Sequence, residues 1–200
     1  MEFLVDGPSE GVRFLFAHGA GAPMDSPFMR DVAVGLGARG VEVIRFEFPY
    51  MAARREGKRR PPDRTAILLD TWRTVVGEWR GEGRLFLGGK SMGGRMATMV
   101  ADELGVDGVV CFGYPFHPAG RPQALRTGHL ESIRTPTLIV QGTRDSLGNR
   151  DEVVRLPLSP ALTIVWIEQG DHSLAPPVRS GRTKAEALEE AIEAASRHLR

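Results

Sequence analysis

The sequence predicts an α/β protein, one domain over residues 1–200, built on a single, mostly parallel open sheet with helices on both faces and no large lid. Three observations lead there. Short apolar runs alternate with segments of helical periodicity along the chain, the pattern of parallel strands joined by right-handed crossovers. One run, Leu85 to Leu87, passes straight into Gly89-x-Ser91-x-Gly93 and then into a helical segment. No repeat, low-complexity block or linker-like boundary interrupts the alternation.

Taken in order, Met1 to Val5 is a candidate edge strand, turned at Gly7-Pro8. Arg13 to Ala17 is the first clear buried strand and runs into His18-Gly19-Ala20-Gly21-Ala22-Pro23. Ser26 as a cap and Pro27 in the first turn open a helix whose apolar side is Phe28, Val32 and Leu36, closed by Gly37 and Gly40. Val41 to Phe48 reads as the next strand, ending at Pro49. The polar stretch Arg54 to Pro62 reads as a loop, after which Leu68, Trp72, Val75, Val76 and Trp79 share one helical face as core anchors. The helix after Ser91 places Ala97, Val100, Ala101 and Leu104 together and can end at Gly105. Gly108 to Phe112 is a further buried strand, and Gly113 to Arg134 is irregular and rich in Pro, Gly and His. Thr137 to Gln141 and Leu162 to Ile167 are the last strands, with a short helix around Asp151 to Val154 between them. Thr183-x-x-Glu186 is a capping box opening a final helix with Ala185, Leu188, Ile192, Ala195 and Leu199 inward.

Composition narrows the function. The net charge of +1 argues against a molecule that binds nucleic acid through its overall field. The 42% hydrophobic content argues against global disorder. The lone cysteine, Cys111, excludes an internal disulfide and a Cys-rich metal site, and within Val109-Val110-Cys111-Phe112 it reads as packing. Acidic Glu2 and Asp6, with no basic segment leading an apolar one, do not suggest a signal peptide, and no apolar run is long enough to span a bilayer. A soluble, cytoplasmic protein without membrane or nucleic-acid partners is the expectation.

Gly89-Lys90-Ser91-Met92-Gly93 between strand and helix is a nucleophile elbow pattern. A strand turning abruptly into a helix strains the apex and leaves almost no room for neighbouring side chains, so glycines flank it. A phosphate loop is the competing reading, but the spacing fits neither G-x-x-x-x-G-K-[ST] nor G-x-G-x-x-G. A serine hydroxyl needs a base to take its proton and a third group to orient that base. His172, after the last strand, is the best base, and Asp145, after the preceding one, the best orienting acid. Asp151 and Glu152 lie further from the strand end, and Asp171, adjacent to His172, would point away from it. In open α/β sheets the site lies beyond the carboxyl ends of the strands, where His18, Ser91, Asp145 and His172 all fall. Met92 N–H at the helix start and Ala20 N–H in the glycine-rich first loop are the expected oxyanion donors. His18 reads as a brace for that loop, and His117 and His129 as hydrogen-bonded structural residues. No paired metal-ligand spacing occurs, and the chemistry calls for no cofactor and no metal.

With those residues in view, the chain resembles the α/β-hydrolase superfamily over nearly its whole length. The motifs are His18-Gly19-Ala20-Gly21, Gly89-Lys90-Ser91-Met92-Gly93-Gly94, Gln141-Gly142-Thr143-Arg144-Asp145 and Gly170-Asp171-His172-Ser173. Phe112-Gly113-Tyr114-Pro115-Phe116-His117-Pro118 is similar to the small lidless group near dienelactone hydrolases, which includes KANL-type and testis-expressed hydrolase-like proteins. The resemblance implies an α/β-hydrolase fold and a serine hydrolase acting on a carboxyl ester or thioester. Dienelactone hydrolases proper carry a cysteine where this chain has Ser91, and KANL-type members can act as scaffolds, so a catalytically idle binding protein is the alternative. The basic stretch Arg54, Arg55, Lys58, Arg59 and Arg60, with the Gly113 to Arg134 segment, is expected to wall the pocket. There it would attract anionic substrates, unless it is merely a solvated loop.

Overall fold

The computed structural model describes every residue except Gly11 and Arg59. Among the described residues seven strands form one sheet: β1 (Phe3–Asp6), β2 (Arg13–Ala17), β3 (Glu42–Phe46), β4 (Leu85–Lys90), β5 (Gly108–Phe112), β6 (Thr137–Gly142) and β7 (Leu162–Ile167). Their spatial order is β1-β3-β2-β4-β5-β6-β7. All neighbours pair in parallel except β1, which runs antiparallel to β3 at the edge. β4, which carries the elbow, is therefore a central strand, buried on both faces.

Alternate residues of each strand feed two cores, because a strand's side chains switch face at every step. In β2, Leu15 and Ala17 pack on one side of the sheet and Phe14 and Phe16 on the other. In β5, Val109 and Cys111 oppose Val110 and Phe112 in the same way. The first face is covered by α2 (Pro49–Arg55), α3 (Thr65–Trp79) and α4 (Met92–Leu104). The second is covered by α1 (Pro27–Gly37) and α6 (Lys184–His198). A short helix, α5 (Arg150–Val153), joins β6 to β7. Among the described residues no helix is long and apolar enough to cross a membrane. Cys111 is buried, and burial pushes its thiol pKa up, away from reactivity.

Four expectations need correction. The third strand is shorter than Val41 to Phe48, because the chain leaves the sheet after Phe46 and turns at Pro49 into α2. That helix takes in Arg54 and Arg55, the start of the stretch expected to be a loop; Pro49 at its first turn and the buried Tyr50 and Met51 anchor it. Ser26 stands at the cap position of α1, but its side chain makes no capping bond. In α6 the capping box of Thr183 and Glu186 forms as expected, yet Ala185 is exposed. The buried face runs instead through Ala187, Ala191, Ile192, Ala195 and Leu199, with Leu188 at its margin.

Candidate active site

The elbow is built by close backbone approach. Ser91 has φ 51° and ψ −113°, a left-handed conformation that costs a non-glycine residue roughly 1–3 kcal/mol. Gly93 supplies the room beneath it. A Cβ there would stand 2.6 Å from the carbonyl oxygens of both Ala17 and His18. Both obstacles are backbone atoms and cannot rotate away, so Gly93→Ala is expected to cost about 1–3 kcal/mol through overpacking. Urea unfolding measures this as a lower midpoint at unchanged slope. An unchanged midpoint would mean that the elbow is looser than these backbone distances imply.

The carboxyl edge of the sheet brings three distant residues together. His172 Nε2 lies 2.9 Å from Ser91 Oγ, and His172 Nδ1 lies 2.8 Å from Asp145 Oδ2. Asp145 is fully buried, and its carboxylate also accepts from Leu147 N–H at 2.8 Å and from Gln141 Nε2 at 2.8 Å. A buried carboxylate with these donors places the proton of neutral His172 on Nδ1. Nε2 is left to accept from the Ser91 hydroxyl. The other acids are occupied elsewhere. Asp171 Oδ1 closes its own turn by accepting from Ser173 and Ala175 N–H, and Glu152 completes a capping box with Asn149. Asp151 is exposed at the start of α5.

The first loop is braced from behind. His18 is fully buried; its Nδ1 lies 2.6 Å from Gly19 O, and its Nε2 accepts from Phe48 N–H at 3.1 Å. Burial lowers its pKa, so the neutral ring serves both bonds. Tyr50 Oη donates to Ala20 O at 3.0 Å. In a planar trans peptide the N–H points opposite to the carbonyl. Holding Gly19 O toward His18 therefore turns Ala20 N–H the other way. Ser91 O accepts from Arg95 N–H along α4, which by the same geometry turns Met92 N–H out of the helix N-terminus. Among the described residues neither Ala20 N–H nor Met92 N–H has an acceptor. His117 is held by Pro118 O and Glu152, and His129 by Thr98.

Two clefts meet at Ser91 and Ala20. One, of about 400 Å³, is lined by Gly21, Phe28, Met29, Lys90 and His172 among others. The other, of about 330 Å³, opens on the Met92 side between Asp63, Leu68, Arg95, Pro115, Arg126 and Leu147. The Gly113 to Arg134 segment thus contributes Pro115 and Arg126 to a wall. The basic stretch does not: none of Arg54, Arg55, Lys58 and Arg60 lines either cleft. Arg54 stacks over the Tyr50 ring and donates to Arg60 O, Arg55 pairs with Glu47 and Asp25, and Lys58 pairs with Glu56. Arg59 lies outside the described residues.

Sequence reasoning missed two supports. Gln141 is fully buried at the end of β6; its Nε2 donates to Asp145 and to the carbonyls of Gly148 and Tyr114, while Oε1 accepts from Tyr114 N–H. A glutamine closing an apolar strand is the signal, since a buried amide must find partners. Lys90 Nζ donates to the carbonyl of His172, tying the histidine's loop to the elbow, and sits 5.6 Å from the Phe28 ring centre. Gly113, at φ 67°, leaves space for this contact: a Cβ there would lie 2.6 Å from both Lys90 Nζ and His172 O.

Residues 10–200 match the family model described as an alpha/beta hydrolase domain. Among solved structures, an alpha-beta serine hydrolase homologue from Coxiella burnetii superposes with a TM-score of 0.73 at 20% identity, covering 99% of this chain and 91% of that one. A serine hydrolase without lid from Xanthomonas campestris gives 0.72 at 20% identity, covering 98% and 87%. Dienelactone hydrolase from Anabaena variabilis gives 0.68 at 22% identity, covering 98% and 89%. At these identities the likeness bears on the fold.

Proposed function

This chain belongs to the alpha/beta hydrolase family, and on that premise we propose that it is a serine hydrolase that cleaves a carboxyl ester or thioester through an acyl-enzyme on Ser91. The observation that carries the reading is the continuous hydrogen-bonded set Ser91–His172–Asp145 at the strained apex of a central strand. In the proposed cycle Ser91 Oγ attacks the substrate carbonyl while His172 Nε2 takes its proton. The C=O oxygen becomes the oxyanion, met by Ala20 and Met92 N–H; each such donor is typically worth about 10²–10³ in rate. His172 then protonates the departing alcohol or thiol. A water, losing its proton to the same nitrogen, attacks the acyl carbon; as the intermediate collapses, Nε2 returns that proton to Ser91 Oγ, releasing the acid and free Ser91. Asp145 keeps the imidazole in the tautomer that both halves need. The two clefts accommodate substituents of small or medium size on either side of the reacting carbon.

The test is a panel of p-nitrophenyl esters and acyl thioesters of increasing chain length, followed by stopped flow and by intact mass. A burst of product, with a covalent acyl adduct on the protein, is expected. No turnover and no adduct across the panel would leave a hydrolase fold used only for binding.

Lys90 gives this reading a pH signature. Burial, outweighing the nearby charges of Asp145 and Asp171, lowers its pKa to about 8. Below that pH the ammonium makes a charge-assisted bond to the His172 carbonyl; above it the neutral amine donates more weakly. The rate should therefore fall as pH rises through about 8. Lys90→Met should remove that alkaline step and lower kcat at neutral pH, by up to roughly a hundredfold if the imidazole drifts by an ångström. An alkaline limb that persists unaltered in Lys90→Met would dissociate Lys90 from the positioning of the base.

A further inference from the structure

We propose that the cleft on the Met92 side is an anion subsite, in which Arg95 and Arg126 receive a carboxylate or phosphate group carried by the substrate. The proposal rests on the serine hydrolase reading above and adds the chemical class of what is hydrolysed.

Arg95 lies one helical turn after Ser91, and its N–H bonds to Ser91 O at 3.0 Å. Side chains on a helix lean toward its N-terminus, so the Arg95 stem runs back toward the elbow. It lines the same cleft as Ser91, Met92 and Arg126. Arg126 is placed by its backbone: its N–H donates to Phe116 O at 2.8 Å, and its carbonyl accepts from Tyr114 Oη at 2.8 Å.

Both residues are half-buried, and among the described residues neither has a carboxylate within ion-pair distance. Arginines on the open surface without an ion pair among the described residues, such as Arg121 and Arg144, need no explanation, because water solvates them. Arg95 is different. Its Nε is buried and, among the described residues, has no hydrogen-bond partner. Burial lowers its pKa; Tyr114 opposes this by its charge and by a side-chain hydrogen bond, and the charge of Arg126 adds to the lowering. Two like charges thus share one small cleft, at a cost that an incoming anion would relieve.

Among the described residues Asp63 is the one acid in the lining, against two guanidinium groups. Its Oδ2 already accepts from Tyr50 N–H at 2.8 Å. The start of α4 adds positive potential from the same side. Snorkelling of the Arg95 stem over apolar surface would explain its burial, but not the second cation beside it.

The experiment compares matched esters. p-Nitrophenyl hydrogen glutarate is set against p-nitrophenyl hexanoate, placing the carboxylate on the acyl side. 4-Hexanoyloxybenzoate is set against phenyl hexanoate, placing it on the leaving group. In one of the two pairs the anionic ester should have a KM lower by roughly tenfold or more, the size of a charge-assisted contact in a half-buried site. Arg95→Met and Arg126→Met should each shrink that ratio, and Arg95→Lys should retain part of it. One molar salt should shrink it too, because a guanidinium this close to solvent is screened. Labelling by a fluorophosphonate checks that each variant still folds. Glutarate and inorganic phosphate, titrated calorimetrically into the Ser91→Ala protein with and without Arg95→Met, read the same site without turnover and separate carboxylate from phosphate.

Equal KM values within both pairs, or a preference that survives both methionine substitutions, would overturn the subsite while leaving Ser91 chemistry standing. If no ester is cleaved at all, the hydrolase reading fails by itself. Anion binding that depends on Arg95 would then still support the subsite, and its absence would refute it.

Discussion

Ser91→Ala is expected to lower kcat for ester hydrolysis by on the order of 10⁶, with little change in KM and with the fold intact. In the proposed cycle, removing Oγ would delete the atom that bonds to substrate, and losing the nucleophile of such a set costs about this much even when the other two residues stay. What survives is the residual rate from the oxyanion donors and from binding, roughly 10³–10⁴ over water. The fold should tolerate the change, because alanine has the same left-handed strain at φ 51° as serine and loses only the bond to His172 Nε2. Stopped-flow turnover of an activated ester measures it. A rate within tenfold of the native protein, with the burst retained, would place the nucleophile elsewhere.

Asp145→Asn carries the second-largest expected effect, about 10⁴ in kcat. The Asp145 carboxylate is surrounded by donors: His172 Nδ1 and Gln141 Nε2 at Oδ2, and Leu147 N–H at Oδ1. An asparagine amide cannot accept at both positions. With NH₂ toward His172, the ring must carry its proton on Nε2 and can no longer take one from Ser91. With NH₂ toward Leu147, two donors face each other. Either arrangement leaves a buried donor unmet, a further cost of about 1–3 kcal/mol in stability. Parallel kcat and urea measurements separate the two effects. A loss of less than tenfold in kcat would show that His172 holds its tautomer without Asp145.

The parts of the molecule legible in the sequence are those where one physical constraint dominates. Buried parallel strands must be continuous apolar runs, so β2, β4, β5, β6 and β7 stand out. The elbow is legible because a turn that brings backbone within 2.6 Å of Gly93 leaves glycine as the residue that fits. The positions of Ser91, Asp145 and His172 follow from the strands that precede them. What was not legible depends on contacts between distant segments. The helix α2 is only seven residues long, and its last two are arginines that pair with Glu47 and Asp25 or stack on Tyr50. Nothing local to Arg54 and Arg55 shows that those partners are near, so the stretch reads as a solvated loop. Period alone puts Ala185 inward, yet the phase of α6 is set by its contact with α1 and the sheet, which the period does not contain. The Lys90 tie and the Arg95–Arg126 pair likewise require knowing which loops close over the elbow.

The central claim, that Ser91 is the atom acylated by substrate, is tested most directly by intact-protein and peptide mass spectrometry after treatment with a fluorophosphonate. One adduct per chain is predicted, mapping to the peptide that contains Gly89-Lys90-Ser91-Met92-Gly93, absent in Ser91→Ala and slowed by several orders of magnitude in His172→Ala. An adduct on any other residue, or no adduct from a protein that still hydrolyses esters, would contradict it.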